Sequence, residues 1–317
     1  MKKFFAVLMT LTLALALLAG CGSTTEESGE TEPAETEAAE PAETTEAEET
    51  ASDFDPDTAI LVVSFGTSYN ESRDATIGAT EAAIQAGFPQ YEVRRAFTSQ
   101  IIIDKLAERD GLEIDNVTQA LDRAAADGIK NLIVQPTHLM NGFEYTDLAD
   151  ELATYEDTFD QIVLGEPLLT SDEDFEAVIA AITSDTSSYD DGQTAIVFMG
   201  HGTEADSNGV YAKMQEMITA DGFDNYYIGT VEATPSLDDI ISALDGKGYT
   251  RVVLEPLMVV AGDHANNDMA GDEDDSWKSI LTGEGYEVEC ILEGLGQKPA
   301  IQEIYADHVK AAVDQLA

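Results

Sequence analysis

From Ala59 onward, short apolar runs alternate with longer stretches in which apolar side chains recur every three or four residues. The short runs read as buried strands and the longer stretches as amphipathic helices. The pattern predicts a strand at AILVVSF and a helix over 72–88, carried by Ile77, Ala82, Ile84 and Phe88. Strand YEVRRAF follows, then helices SQIIIDKLAERD and NVTQALDRAAADG, strand NLIVQP, a helix around FEYTDLADELATY, strand QIVLGEPLL and helix DEDFEAVIAAIT. A polar, turn-rich segment, SDTSSYDDG (184–192), joins this series to a second one. There the pattern predicts strand TAIVFMG, a helix over 208–220, strand YYIGTVEA, helix SLDDIISALDG and strand RVVLEPLM. A helix near 274–281, strand YEVECIL and a closing helix over 299–316 complete it. Such alternation predicts an α/β fold of parallel sheets flanked by helices on both faces.

The two series also match in detail. ILVVSFGTSYNES aligns with AIVFMGHGTEADS, setting Gly66 and Thr67 against Gly202 and Thr203. NLIVQPTHLMNG aligns with VVLEPLMVVAGD, setting Pro136 against Pro256 and Gly142 against Gly262. An internal duplication follows, with two similar lobes, 58–190 and 191–317, facing one another across a cleft.

The chain before the first strand is of another kind. Two lysines, an apolar run and small residues ending at Cys21 make residues 1–20 a secretory signal, and Leu18, Ala19, Gly20 and Cys21 resemble a bacterial lipobox. A lipidated Cys21 anchored to a membrane on its extracytoplasmic face is expected. Residues 21–57 are rich in Glu, Thr, Ala, Pro and Ser and lack Lys and Arg, so they read as an acidic, disordered stalk. The formal net charge of the whole chain, −48, argues against nucleic-acid binding, which needs a basic face. Cys290 is the other cysteine; no disulfide and no thiolate metal cage is expected, and Cys290 reads as a small core residue.

Chemistry then rests on few residues. Of the four histidines, His201 follows TAIVFMG and His264 follows the apolar run RVVLEPLMVVAG. Both stand beyond the carboxyl ends of predicted strands, where open α/β sheets bind ligands. His201 is open to two readings, a metal ligand or base, or a structural cap. Glu232, at the end of YYIGTVE, is either a solvated strand terminus or an inward ligand. Together the three make a nitrogen and oxygen donor set suited to Co²⁺, Fe²⁺, Ni²⁺ or Zn²⁺. His138 either lines the cleft or is a satisfied structural histidine, and His308 is expected to be exposed and without a role. Arg94 and Arg95 end the second strand, where an arginine either clamps a substrate carboxylate or pairs with an internal acid. GTSYNES (66–72) lacks both the Walker lysine and GxGxxG, so no nucleotide site is read there. Four acids in GDEDDSWKS are explained by stabilisation of the helix start that follows them.

Taken together, VVSFGTSY, RAFTS, GHG, VEATP, PLMVVAGDHANNDMA with the following DSW, and GLGQKPAI resemble the anaerobic sirohydrochlorin cobaltochelatases of cobalamin biosynthesis. These are relatives of ferrochelatase in the class II chelatase group, and the likeness runs in order over 59–317. It implies two Rossmann-like halves with a tetrapyrrole in the cleft between them. It implies that His201 and His264 are the catalytic histidines of the GHG and GDHA motifs, and that Glu232 of the VE motif joins them in binding the metal. Arg95 matches the arginine of RAFTS and His138 a histidine of family members, which makes both candidate substrate-binding residues. The implied activity is insertion of Co²⁺, or Fe²⁺ or Ni²⁺, into a sirohydrochlorin-type tetrapyrrole, with the divalent metal as substrate and no organic cofactor. A non-catalytic lipoprotein that binds a metal or metallated tetrapyrrole for uptake is the alternative, and removal of metal is a third reading of the same site. A homo-oligomer and uptake-system components stay open as partners. Two features depart from the family: Ala205 stands about where some relatives carry a further histidine, and the chain is exported whereas cobalamin is assembled in the cytoplasm.

Overall fold

The computed structural model describes residues 54–316; the expected signal segment, Cys21 and nearly all of the expected stalk lie outside them. Strand β1 (Thr58–Ser64) is followed by α1 (Asn70–Arg73), a π-helical turn (Asp74–Gly78) and α2 (Ala79–Gly87), which together form the first expected helix. Next come β2 (Glu92–Phe97), α3 (Gln100–Asp110), α4 (Val117–Ala126), β3 (Asn131–Pro136), α5 (Phe143–Ala153), β4 (Gln161–Leu164) and α6 (Asp172–Thr186). The second series is β5 (Thr194–Gly200), α7 (Gly209–Ala220), β6 (Tyr226–Thr230), α8 (Leu237–Leu244), β7 (Arg251–Pro256), α9 (Trp277–Gly283), β8 (Glu287–Cys290) and α10 (Pro299–Val313). No helix among the described residues is long and apolar enough to cross a membrane.

Boundaries differ from expectation where side chains meet the backbone. Helix α6 runs into the expected turn as far as Thr186, where the hydroxyls of Thr183 and Thr186 donate back to the carbonyls of Ile179 and Ile182. Helix α9 starts late because Ser276 caps it, its hydroxyl accepting from the Ser279 amide. Strand β6 stops at Thr230, so Glu232 lies beyond the strand rather than at its end.

The strands form two four-stranded sheets, ordered β2-β1-β3-β4 and β6-β5-β7-β8, with every neighbour parallel. The sheets repeat one another down to single hydrogen bonds. Val63 stands opposite Pro136 and Met199 opposite Pro256. The Thr137 amide donates to the Val63 carbonyl and the Leu257 amide to the Met199 carbonyl, each at 2.8 Å.

Strands β1 and β5 are buried at all seven positions, as a sheet covered on both faces requires. In β1, Ala59, Leu61 and Val63 pack against α4 and α5, while Ile60 and Val62 join an inner core. That core is shared: Ile196, Phe198, Ile228 and Val253 of the second sheet belong to it, with side chains of α6, α7 and α10. The last helix reaches back across the 190/191 boundary to pack on α2, β3 and β4, its Ile301, Ile304, Tyr305 and Val309 forming the buried stripe. The Tyr305 hydroxyl donates to the Thr137 carbonyl at 3.0 Å. His308 is therefore not exposed as expected. Its ring is held between the Glu166 carbonyl and the Asp174 carboxylate, 3.1 Å from each, and its side chain is only 12% accessible. Just before α10, Lys298 Nζ lies 2.9 Å from Glu255 Oε1 of β7 and 2.7 Å from Asp185 Oδ2 of α6.

Candidate active site

The loops after β1, β3, β5, β6 and β7, together with one face of α3, line a cleft of about 750 Å³. The ends of strands from both sheets thus converge on one opening. His201, Glu232 and His264 meet there, with one donor atom from each lying within 4.8 Å of the others. The two imidazole rings stand edge to face with centroids 4.7 Å apart, and His201 Nε2 lies 3.9 Å from Glu232 Oε2.

His201 is placed by close backbone contact. A Cβ on Gly200 would fall 2.3 Å from the Tyr211 ring, so only glycine lets β5 end against that buried side chain. Gly202 has φ +86° and its backbone presses on Ala233, where any Cβ would come within 2.8 Å. The Tyr211 hydroxyl accepts from the Gly202 amide at 3.2 Å and fixes the turn. Beyond β6 the backbone pairing continues: the Val231 amide donates to Gly200 and the Glu232 amide to His201. This pairing, rather than the strand proper, sets Glu232 beside His201.

His264 opens a π-helical turn (Ala265–Met269), and each polar residue of HANND has a task in it. Asn266 donates to the Gly262 carbonyl at 2.7 Å, Asn267 donates to the Asp263 carboxylate at 2.9 Å, and Asp268 Oδ2 lies 2.6 Å from His264 Nδ1. From beneath, the 294–296 loop braces the segment before His264. The Leu295 and Gly296 amides donate to the carbonyls of Met258 and Val259. A Cβ on Gly294 would fall 2.5 Å from the Val259 carbonyl oxygen.

Both imidazoles are oriented the same way. His201 Nδ1 is 2.7 Å from the Gly202 carbonyl, which can only accept, so that nitrogen carries the proton. His264 Nδ1 donates to the Asp268 carboxylate by the same logic. Each ring is left with Nε2 as its free donor, the arrangement in which a histidine serves a metal while its other nitrogen is held by an acceptor.

The remaining candidates divide. His138 lines the cleft, yet both ring nitrogens are buried and without a hydrogen-bond partner. Burial pulls its pKa down to about 4, so the ring is neutral near pH 7. Arg95 is not among the cleft-lining residues: Glu81 grips its guanidinium with both oxygens, at 2.7 and 2.5 Å, and holds it firmly charged. Of its two readings, the internal pair is the one found. Arg94 is likewise paired, with Glu92 and Asp127. Cys290 is partly buried, and burial pushes its thiol up to about 11, far from a reactive thiolate.

Sequence reading missed Asp268 as the partner of His264, although the i to i+4 spacing within GDHANNDMA signals it. It missed Tyr211, for which no local signal exists. It also missed Phe65, Ile101 and Phe143, large apolar side chains 50%, 78% and 58% exposed on the cleft wall. Ile101 did carry a signal, since it falls out of phase with the buried Ile103 and Leu106 face of α3.

Comparison with known proteins bears on this geometry. Residues 58–314 match the family model described as cobalt chelatase (CbiK). A sirohydrochlorin cobaltochelatase of Salmonella typhimurium is 40% identical over 256 residues, covering 81% of this chain and 96% of that protein. The sirohydrochlorin cobaltochelatase CbiKC of Nitratidesulfovibrio vulgaris is 32% identical over 259 residues, covering 81% and 91%. Among solved structures, SirB from Bacillus subtilis with Fe3+ aligns with a TM-score of 0.54 at 14% identity, covering 82% of this chain and 97% of that one, a likeness of fold. With more than half its length matched by one family model, and with two relatives above 30% identity, the chain belongs to the cobalt chelatase (CbiK) family.

Proposed function

We propose that the protein is a sirohydrochlorin cobaltochelatase, a lyase-type metallochelatase that inserts Co²⁺ into sirohydrochlorin, as its relatives' names describe for them. The observation that carries the reading for this chain is the convergence of His201, Glu232 and His264 at one wall of a cleft large enough to admit a macrocycle. Insertion exchanges one divalent ion for two pyrrole protons, so the site must present a cation and accept protons. Two imidazoles with free Nε2 atoms do both in turn, and Glu232 offsets the ion's charge while it waits. The metal is a substrate here, and the same donors suit Fe²⁺ or Ni²⁺. Export and anchoring through Cys21 are part of the proposal and rest on the sequence of residues 1–21.

Anaerobic absorbance assays of the purified protein with sirohydrochlorin and Co²⁺, Fe²⁺ or Ni²⁺ test it. Insertion above the spontaneous rate, lost in His201→Ala and in His264→Ala, is the expected result. Binding of the tetrapyrrole with no insertion above background by the unaltered protein would replace this reading with the carrier one.

A further inference from the structure

We infer that Lys105 is a substrate-positioning residue that holds a peripheral carboxylate of the tetrapyrrole, with Ile101, one turn before it on α3, covering the ring edge. The inference rests on the tetrapyrrole reading of the cleft and adds a residue to it.

Charge accounting isolates Lys105. Among the described residues every arginine has a carboxylate oxygen within 4.0 Å, and so does every lysine except Lys105 and Lys247. Lys247 sits in the turn before β7, at the opposite end of the sheet from the cleft. Among the described residues, Lys105 is therefore the one cation left unpaired beside the site. Among the described residues it is also the only Lys or Arg lining the cleft, whose charged wall otherwise consists of Glu144, Glu204, Glu232 and Asp263.

Such a wall repels an anion, and sirohydrochlorin is one, its rim carrying acetate and propionate groups. A ring that binds here needs apolar contact for its faces and a cation for its edge. Three of the four exposed large hydrophobic side chains among the described residues, Phe65, Ile101 and Phe143, supply the first from the cleft wall. Lys105 supplies the second, and it stands where the cleft opens into an adjoining groove of about 840 Å³ lined by Tyr69, Arg109 and Asn266. Arg109 is already engaged by Asp110 and Asn70. Ile101 and Lys105 lie four residues apart, so one face of one helix presents both.

The test compares Lys105→Met, which keeps the apolar stem, Lys105→Arg, which keeps the charge, and the unaltered protein, in Co²⁺ insertion into sirohydrochlorin and into its fully methyl-esterified form. Loss of one charge-assisted contact raises KM for sirohydrochlorin about tenfold in Lys105→Met. The kcat stays within about twofold, because the interaction is made equally before and at the transition state. Lys105→Arg restores KM, and the esterified substrate does not distinguish the variants. Far-UV circular dichroism establishes that each variant is folded. An unchanged KM in Lys105→Met, or an equal rise with the ester, overturns the assignment of Lys105 alone. Failure of the unaltered protein to bind or metallate sirohydrochlorin overturns the tetrapyrrole reading and this inference with it.

Discussion

Replacing Lys298 with methionine tests what holds α10 in its crossed position. Lys298 is 5% exposed and Glu255 1%, and Nζ lies 2.9 Å from Oε1, but the pair is poorly aligned for a directed hydrogen bond. Glu255 is thus a buried carboxylate whose main compensation is one ammonium group. Burial already holds its pKa above the ordinary carboxylate value despite Lys298. Methionine fills the space of the lysine stem and strands that charge, a change that costs about 3–5 kcal/mol in buried pairs. The carboxylate can escape by taking a proton. From an ordinary glutamate pKa that costs about 3.7 kcal/mol at pH 7 and about 1 kcal/mol at pH 5. The folded-state pKa lies above the unfolded one, so stability is retained at low pH and lost as pH rises toward the folded value. At about 2–4 °C per kcal/mol, the melting temperature should fall by roughly 7–15 °C at pH 7 and roughly 2–4 °C at pH 5, relative to the unaltered protein at each pH. Thermal unfolding followed by circular dichroism reads both. Adding Glu255→Met removes the stranded charge and should return most of the loss. An equal loss at both pH values, or no recovery in the double variant, would refute the account.

Other consequences follow from the site. His201→Ala and His264→Ala each abolish insertion in the absorbance assay while thermal stability changes by no more than about 0.5 kcal/mol, since neither side chain is buried. Asp268→Asn takes away the charge that orients His264 and weakens Co²⁺ binding about 10–100-fold by calorimetric titration, with the fold unchanged. Gly202→Ala combines a left-handed backbone with a contact at 2.8 Å against Ala233, so it shifts both His201 and Glu232. Its insertion rate should fall by about 10²-fold, the scale set by an ångström of misplacement.

Much of this molecule is legible in its sequence because the governing signals are local. Seven-residue apolar runs bounded by turn residues, such as TAIVFMG, read as strands buried on both faces, and the alignment of Pro136 with Pro256 survives as the same inter-strand register. His201 and His264 are legible because strand ends in parallel sheets are where ligands sit. Asp268 and Ile101 apart, much of what escaped depends on contacts distant in sequence. Nothing near Arg95 says that Glu81 grips it, and nothing near His308 says that Asp174 lies across from it, 134 residues away.

Within the repeat, the residues that could hold a metal all stand in the second half. Since Val63 and Met199 hold equivalent registers, Phe65 occupies in the first half the position that His201 occupies in the second, and His138 the position of Met258. One frame therefore presents an imidazole with a free nitrogen on one side and an exposed phenyl ring on the other. A flat macrocycle has two faces and needs different things from them: a donor set close to its nitrogens on one, and a dry surface that resists its tilting on the other. The first half, with Phe65, Phe143 and a neutral, unpartnered His138, has the character of the second kind of wall. Divergence at single strand ends leaves two matching halves with an asymmetric cleft, His201 and His264 on one wall and Phe65 and Phe143 on the other.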